Sequence, residues 1–160
     1  MKKAEKTKKK TDQTPKKVFV SGCFDMVHSC HVMFFQKAAK YGDLYVSIGS
    51  DKTYREYKHK DPIYTEDERK FIIENLRCVK KAFIARPKGK SASVILDFAD
   101  DLKRIKPDYF VVGEDSNVTP EKRALVESIG AKLIVVKRSI FKGKERSTTD
   151  LRANLKDSQK

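Results

Sequence analysis

A chain of 160 residues with 39% hydrophobic and 36% charged side chains has room for one packed domain and little beyond it. Lys and Arg outnumber Asp and Glu by 36 to 22, and the first 17 residues alone carry eight Lys against Glu5 and Asp12, so both the leading segment and the remainder are cationic and suited to anions such as nucleic acid or phosphate esters. No apolar run reaches the ~18 residues of a membrane helix and no apolar stretch backs the leading lysines, so neither a span nor a secretory signal is expected, and a cytoplasmic protein is.

Residues 1–16 read as a solvated Lys/Thr-rich tail, with weak nucleic-acid or membrane contact as its functional alternative. The domain is expected over 17–156, followed by a short C-terminal tail at 157–160. Within it Lys17–Gly22 (KVFVSG) predicts a buried strand, and residues 31–41 a helix with Val32, Phe35, Ala38 and Ala39 on one face. Residues 44–50 (LYVSIGS) predict a second strand, and the polar stretch after it a charged connector. A helix over 65–78, a strand near 82–85, a helix over 93–105 and a strand over 109–112 follow. Pro120 opens a helix that Gly130 stops, Lys132–Val136 (KLIVV) predicts the fifth strand, and a basic loop leads to a last helix from Thr148. Apolar strands alternating with helices call for a Rossmann-like, doubly wound parallel α/β sheet of five strands, covered by helices on both faces.

In such a sheet ligands bind outside the carboxyl ends of the strands, at the point where strand order reverses. The segment after the first strand is GCFDMVHSCH, residues 22–31. It sets His28 and His31 three apart where a helix begins, beside unpaired N–H groups and the positive end of the helix dipole, which is a place for a polyphosphate. Gly22 permits close backbone approach, and Asp25 is placed to orient a histidine. No P-loop and no dinucleotide-binding glycine pattern occurs. Cys23, Cys30 and Cys78 show no C-x-x-C spacing and read as reduced thiols, and the Cys23, His28, Cys30, His31 run lacks the ligand spacing of a zinc site, so no bound metal is expected.

These ten residues resemble the G-x-F-D-x-x-H-x-G-H signature of the cytidylyltransferase-like nucleotidyltransferases. Thr65-Glu66-Asp67-Glu68-Arg69 is similar to the family's T-x-E-E-R segment, Arg77-Cys78-Val79 to its R-x-V-D stretch, Val112-Gly113-Glu114-Asp115 to its G-x-D turn, and Ser147-Thr148-Thr149-Asp150 to its closing S-T-T segment. The resemblance implies transfer of a nucleoside monophosphate from a nucleoside triphosphate to a phosphorylated alcohol, with release of pyrophosphate. It implies Mg²⁺ carried with the triphosphate, and a homodimer. His28 and His31 would donate to the phosphates and Lys58 would bridge the two reacting groups. Gly22, Phe24, Asp25, Arg77, Gly113, Asp115, Arg138, Ser147, Thr148 and Thr149 would hold the nucleotide, and Lys60 and Arg69 the acceptor. The local strings are most similar to phosphoethanolamine and glycerol-3-phosphate members, so CMP transfer from CTP is the leading expectation, with ATP and a sugar- or heptose-phosphate acceptor as the alternative.

Three departures from the pattern stand out. Cys30 replaces the signature's second glycine, Arg146 replaces an isoleucine, and the loop over 138–147 (RSIFKGKERS) is longer and more basic than the family's. They keep a second class of reading open, a nucleotide-binding pseudoenzyme or a basic nucleic-acid binder. The sequence contains no Trp, which argues against an aromatic cage for choline.

Overall fold

The computed structural model describes residues 14–86 and 96–157. In chain order the elements are β1 (Lys17–Gly22), α1 (Ser29–Ala38), a single 3-10 turn (Ala39–Tyr41), β2 (Asp43–Ile48), α2 (Asp51–Lys58), α3 (Glu66–Glu74), β3 (Val79–Ile84), α4 (Ala99–Ile105), β4 (Tyr109–Gly113), α5 (Pro120–Ser128), β5 (Lys132–Val136) and α6 (Thr148–Asp157). All five strands pair in parallel in the order β3-β2-β1-β4-β5. The expected Rossmann-like sheet is present, and its order reverses between β1 and β4.

Alternation along β1 divides the core into two layers. Val18 and Val20 face one side and pack with Phe35 and Ala38 of α1 and Ile73 of α3. Phe19 faces the other and meets Phe98 and Leu102 at α4, Phe110 of β4 and Val126 of α5. Each of these side chains is fully buried or nearly so, a contribution of roughly 1.5–3 kcal/mol apiece for a fully buried large apolar group. With helices on both faces, the open surface of the sheet is its carboxyl edge.

Local chemistry fixes the helix starts. Thr65 caps α3 in a reciprocal box with Glu68, Thr119 caps α5 with Pro120 at its first position, and Ser50 caps α2 through the N–H of Thr53. The stretch after β2, expected as a connector, is therefore helical at first. Its polar sequence buries only Thr53 and Tyr54, too few apolar positions to register as a periodic face. Residues 75–78 form a turn instead of extending α3, and β3 begins at Val79, three residues before the expected strand. The helix expected over 93–105 is seen from Ala99, and its residues 93–95 lie outside the described residues.

Candidate active site

A cavity of about 530 Å³ opens at the carboxyl edge, over the β1/β4 switch point. Of the fifteen candidate residues, thirteen line it: Gly22, Phe24, Asp25, His28, His31, Lys58, Lys60, Gly113, Asp115, Arg138, Ser147, Thr148 and Thr149. Arg69 and Arg77 do not. Four segments distant in sequence thus converge on the point that the strand order selects.

The loop from β1 to α1 is built under strain. Phe24 and Met26 both adopt left-handed backbone conformations, at φ 50° and 52°, which is costly for residues with a Cβ. Gly22 fits closely beneath this turn. A Cβ there would fall 2.8 Å from the Phe24 ring, so the glycine admits that aromatic ring over the backbone. Phe24 in turn packs edge-on to Phe35 and His31, at centroid distances of 4.9 and 5.7 Å. Gly113 is similar, since a Cβ would meet Asp115 Oδ1 at 2.7 Å.

His28 ends the loop in extended conformation at the N-cap of α1, and no acidic residue occupies the first turn to neutralise its N–H groups. The His28 and His31 rings stack at 3.9 Å. Both nitrogens of His28, and Nδ1 of His31, are buried without hydrogen-bond partners, so this pair is poised for a ligand that supplies acceptors. Burial, with Arg146 nearby, lowers the His28 pKa. Burial, then the neighbouring His28, carries His31 down to about 4, against a weaker opposing pull from Asp115. Both imidazoles are neutral at pH 7, and an arriving polyanion would favour their protonated forms.

Cations surround the pair. Lys58, Lys60, Lys122, Lys137, Arg138 and Arg146 line the cavity. The sequence reading missed Lys122, which α5 carries to the wall, and treated Arg146 as a departure without assigning it a site. Arg138 is held from three directions: its N–H donates to Glu114 at 2.6 Å, its carbonyl accepts from Lys37 at 3.3 Å, and its guanidinium lies 3.4 Å from Glu145. Ser147 caps α6 by accepting the N–H of Asp150 at 3.1 Å, so capping and cavity lining fall on one hydroxyl.

Three of the expected residues make contacts other than those expected. Asp25 does not orient a histidine. Its carboxylate is buried and accepts hydrogen bonds from the N–H groups of Ile63 and Tyr64 and from Arg152 at 2.8 Å, while its carbonyl accepts the Thr148 hydroxyl at 2.8 Å. Burial pushes its pKa up, but Arg152 and the two N–H groups outweigh that and hold it below the usual carboxylate range. Asp25 is the tie between the signature loop, the residues before α3 and helix α6, and Arg152, which the sequence reading passed over, is its partner.

Arg69, expected at the acceptor, does not line the cavity. Its side chain is 0% exposed and its guanidinium donates to the carbonyls of Tyr64 (3.1 Å), Cys23 (2.6 Å) and Gly49 (2.8 Å) and to Asp51 (2.7 Å). It pins the ends of β1 and β2 together from below the cavity. Arg77 is exposed on the turn before β3, at the amino edge of the sheet, and does not line the cavity.

Cys30 sits on the first turn of α1, and its thiol donates toward the Lys144 carbonyl at 4.0 Å. The side chain that replaces the signature's glycine is thus covered by the long basic loop. Where the family pattern has a bare helix start and a short loop, this chain has a thiol and a loop that packs over it.

An α/β domain with paired, unpartnered imidazoles at its switch point and a ring of cations is the architecture of a nucleotidyltransferase. The chain belongs to the cytidylyltransferase-like family, whose model matches residues 19–154. It is 33% identical over 136 residues to a FAD synthase of Pyrococcus horikoshii, covering 83% of this chain and 86% of that one. It is 34% identical over 145 residues to the bifunctional protein HldE of Syntrophotalea carbinolica, covering 88% of this chain but only 27% of that longer protein. Among solved structures it is similar to the lipopolysaccharide core biosynthesis protein of Thermoplasma volcanium GSS1, with a TM-score of 0.63 and 25% identity over 80% of this chain and 99% of that one.

Proposed function

We propose that this protein transfers AMP from ATP onto the phosphate of a phosphorylated polyol, with FMN as the first acceptor to test. The similarity to FAD synthases over most of both chains carries this reading. FAD is FMN joined to AMP through a pyrophosphate bridge, so a protein that makes it from FMN needs the adenylyl chemistry. These relatives favour ATP, the alternative of the sequence reading, over its leading expectation of CTP.

In the reaction an oxygen of the acceptor phosphate attacks the α-phosphorus, a new P–O bond forms, and the bond to the β-phosphate oxygen breaks as pyrophosphate leaves. No proton need be removed from an ionised phosphate, so the protein's task is to bring two anions together and disperse charge. His28 and His31 are assigned as donors to the α- and β-phosphates. Lys58 bridges acceptor and α-phosphate, and Lys60 holds the acceptor. Gly113 and Asp115 take the nucleoside, and Arg138 with Ser147, Thr148 and Thr149 takes the outer phosphates, where the α6 N-terminus adds N–H groups. Arg146 and Lys122 add positive potential. No three His, Cys, Asp or Glu side chains among the described residues are grouped to hold a metal, so Mg²⁺ enters this reading on the phosphate oxygens of ATP, where it neutralises charge.

A cytoplasmic homodimer is the setting we propose, with the leading tail as a weak polyanion contact. Among the described residues no helix is long and apolar enough to cross a membrane, and Phe71 and Ile63 expose apolar surface that a second copy would cover. Pyrophosphate release is measured with ATP or CTP against FMN, glycerol 3-phosphate and phosphoethanolamine. ATP with a hydroxylated acceptor is expected to be the productive pair. Release with CTP alone would restore cytidylyl transfer, and binding of ATP without release for any acceptor would favour the pseudoenzyme.

A further inference from the structure

The β2 side of the cavity holds a second unsatisfied group that neither the sequence signature nor the proposed chemistry uses. Asp97, just before α4, is 8% exposed and lines the cavity wall. One of its carboxylate oxygens, Oδ2, is buried and accepts no hydrogen bond. An ionised carboxylate engages up to four donors, and leaving a buried acceptor unpaired costs roughly 1–3 kcal/mol, more when it is charged. The surroundings are shaped around this oxygen. A Cβ on Gly49 would fall 3.2 Å from Oδ2, 3.4 Å from the Thr53 methyl and 3.7 Å from the Cys23 sulfur. A side chain at Gly49, the residue after β2, would press the carboxylate aside by a few tenths of an ångström.

Four ionisable or polar neighbours face Asp97 from the packed elements. The Thr53 hydroxyl of α2 lies beside the carboxylate, Cys23 follows β1, Asp101 stands one turn on in α4, and Lys122 on α5 carries opposing charge. Burial raises the Asp97 pKa to about 6, against the lowering influence of the nearby Thr53 hydroxyl and Phe98 N–H. Lys122 is drawn over the rings of Phe98 and Phe110 at 5.4 and 5.9 Å, and burial lowers its pKa while Asp97 opposes that. The carboxylate therefore remains mainly ionised at pH 7, and its Oδ2 keeps an unfilled acceptor position at the cavity wall.

Position decides which substrate meets it. The assigned triphosphate groups stand on α1, the β5 loop and α6, whereas Asp97 shares the β2 and α2 side with Lys58 and Lys60. We propose that Asp97, seated by Thr53 and Gly49, is the acceptor-selecting group, and that it accepts a hydrogen bond from a hydroxyl of the acceptor's polyol while the lysines hold its phosphate. This rests on the assignment of Lys58 and Lys60 to the acceptor end. It narrows the substrate class to phosphate monoesters carrying a free hydroxyl, such as a ribityl, glyceryl or sugar phosphate.

The test compares glycerol 3-phosphate, FMN, propyl phosphate and inorganic phosphate on the full chain and on Asp97→Asn. Binding is measured by calorimetry with and without α,β-methylene-ATP, and turnover by pyrophosphate release. A hydrogen bond to a charged group predicts that Asp97→Asn weakens glycerol 3-phosphate or FMN by roughly 10- to 100-fold, raises the acceptor KM with KM for ATP unchanged, and leaves propyl phosphate and inorganic phosphate within about twofold. Thr53→Val, which keeps the packing and removes the hydroxyl, is expected to give a smaller loss of the same selectivity if Asp97→Asn does not fold. Equal losses for glycerol 3-phosphate and propyl phosphate, an effect confined to ATP, or no preference of the wild type for the hydroxylated ester would overturn the proposal. Selective acceptor binding without pyrophosphate release would sink the transfer reaction and leave this subsite standing.

Discussion

Two arginines, Arg69 of α3 and Arg152 of α6, differ from the cavity cations in what their guanidiniums touch. Arg69 and Arg152 spend their donors on carbonyls and carboxylates of the protein itself, Arg69 on three carbonyls and Asp51, Arg152 on Asp25 and the Asp61 carbonyl. Lys58, Lys60, Lys122 and Arg146 line the cavity. One set welds the loops and the other lines the cavity wall. Sequence presents both as basic residues near motifs; only the carbonyls that converge on a position decide to which set it belongs.

The largest effect is expected at Arg69. Replacing it with Ala would leave Asp51 and three inward carbonyls without their partner, and breaking a buried ion pair of this kind costs about 3–5 kcal/mol. Urea denaturation of Arg69→Ala should therefore show a transition lowered by most of the domain's stability. A variant as stable as wild type that lost only acceptor affinity would return Arg69 to the acceptor site.

The histidine pair comes next. His28→Ala and His31→Ala are each expected to lower turnover roughly 10²–10³-fold with smaller changes in nucleotide affinity, because a donor aimed at developing charge acts on the transition state more than on bound substrate. Pyrophosphate release under saturating and limiting ATP separates the two. Loss of affinity with turnover intact would reduce the pair to a binding role.

The contrast between welds and ligand groups also marks what sequence made legible. β1 and β5 were bounded to the residue, because a buried parallel strand is a short apolar run between turn signals. The signature at 22–31 located the cavity, since strand order puts the end of β1 at the switch point. What stayed hidden was long-range. α2 has too short an apolar face to read, Arg152 meets Asp25 across 127 positions of sequence, and Asp97 is conspicuous only once Gly49 and Thr53 are beside it. Asp25 was placed at the site for its motif, yet which groups its carboxylate serves is a fact of tertiary packing.

Opposite acid responses at the two ends of the cavity offer a finer test. His31 has a pKa of about 4 against an ordinary value of 6.5, so between those pH values the unfolded chain binds more protons and stability falls as the medium is acidified. Asp97, at about 6 against 3.8, binds its proton more readily when folded, so between those values acidification stabilises. Each spans a few kcal/mol at most and the two oppose one another over roughly pH 4–6. Asp97→Asn should steepen the loss of stability in acid, and His31→Gln should flatten or reverse it. Melting curves from pH 4 to 7 check both, and parallel profiles for the two variants would contradict the assignment.

The smallest effect is expected at Cys30. Its thiol is 9% exposed and points toward the Lys144 carbonyl, so the side chain is accommodated beneath the basic loop and need not displace a nucleotide. Cys30→Gly would lose that contact and add the helix cost of glycine, about 1 kcal/mol, near the start of α1 where the penalty is partly relieved. Turnover should change by no more than a few-fold, because His28 and His31 keep their positions on either side. The loop, released from the thiol, should become the more sensitive reporter: limited proteolysis within residues 138–147 is expected to quicken in Cys30→Gly and to slow again when ATP is added, as the assigned phosphate groups at Arg138 and Thr148 engage. A large gain in turnover would instead mean that the thiol obstructs the triphosphate, as the bare-helix pattern of the family suggests. A collapse of turnover with the fold and ATP affinity intact would mean that the loop's seat on Cys30 positions the groups that act on the phosphates, and the weld-and-ligand division drawn above would then have to place Cys30 with Asp25 and Arg152.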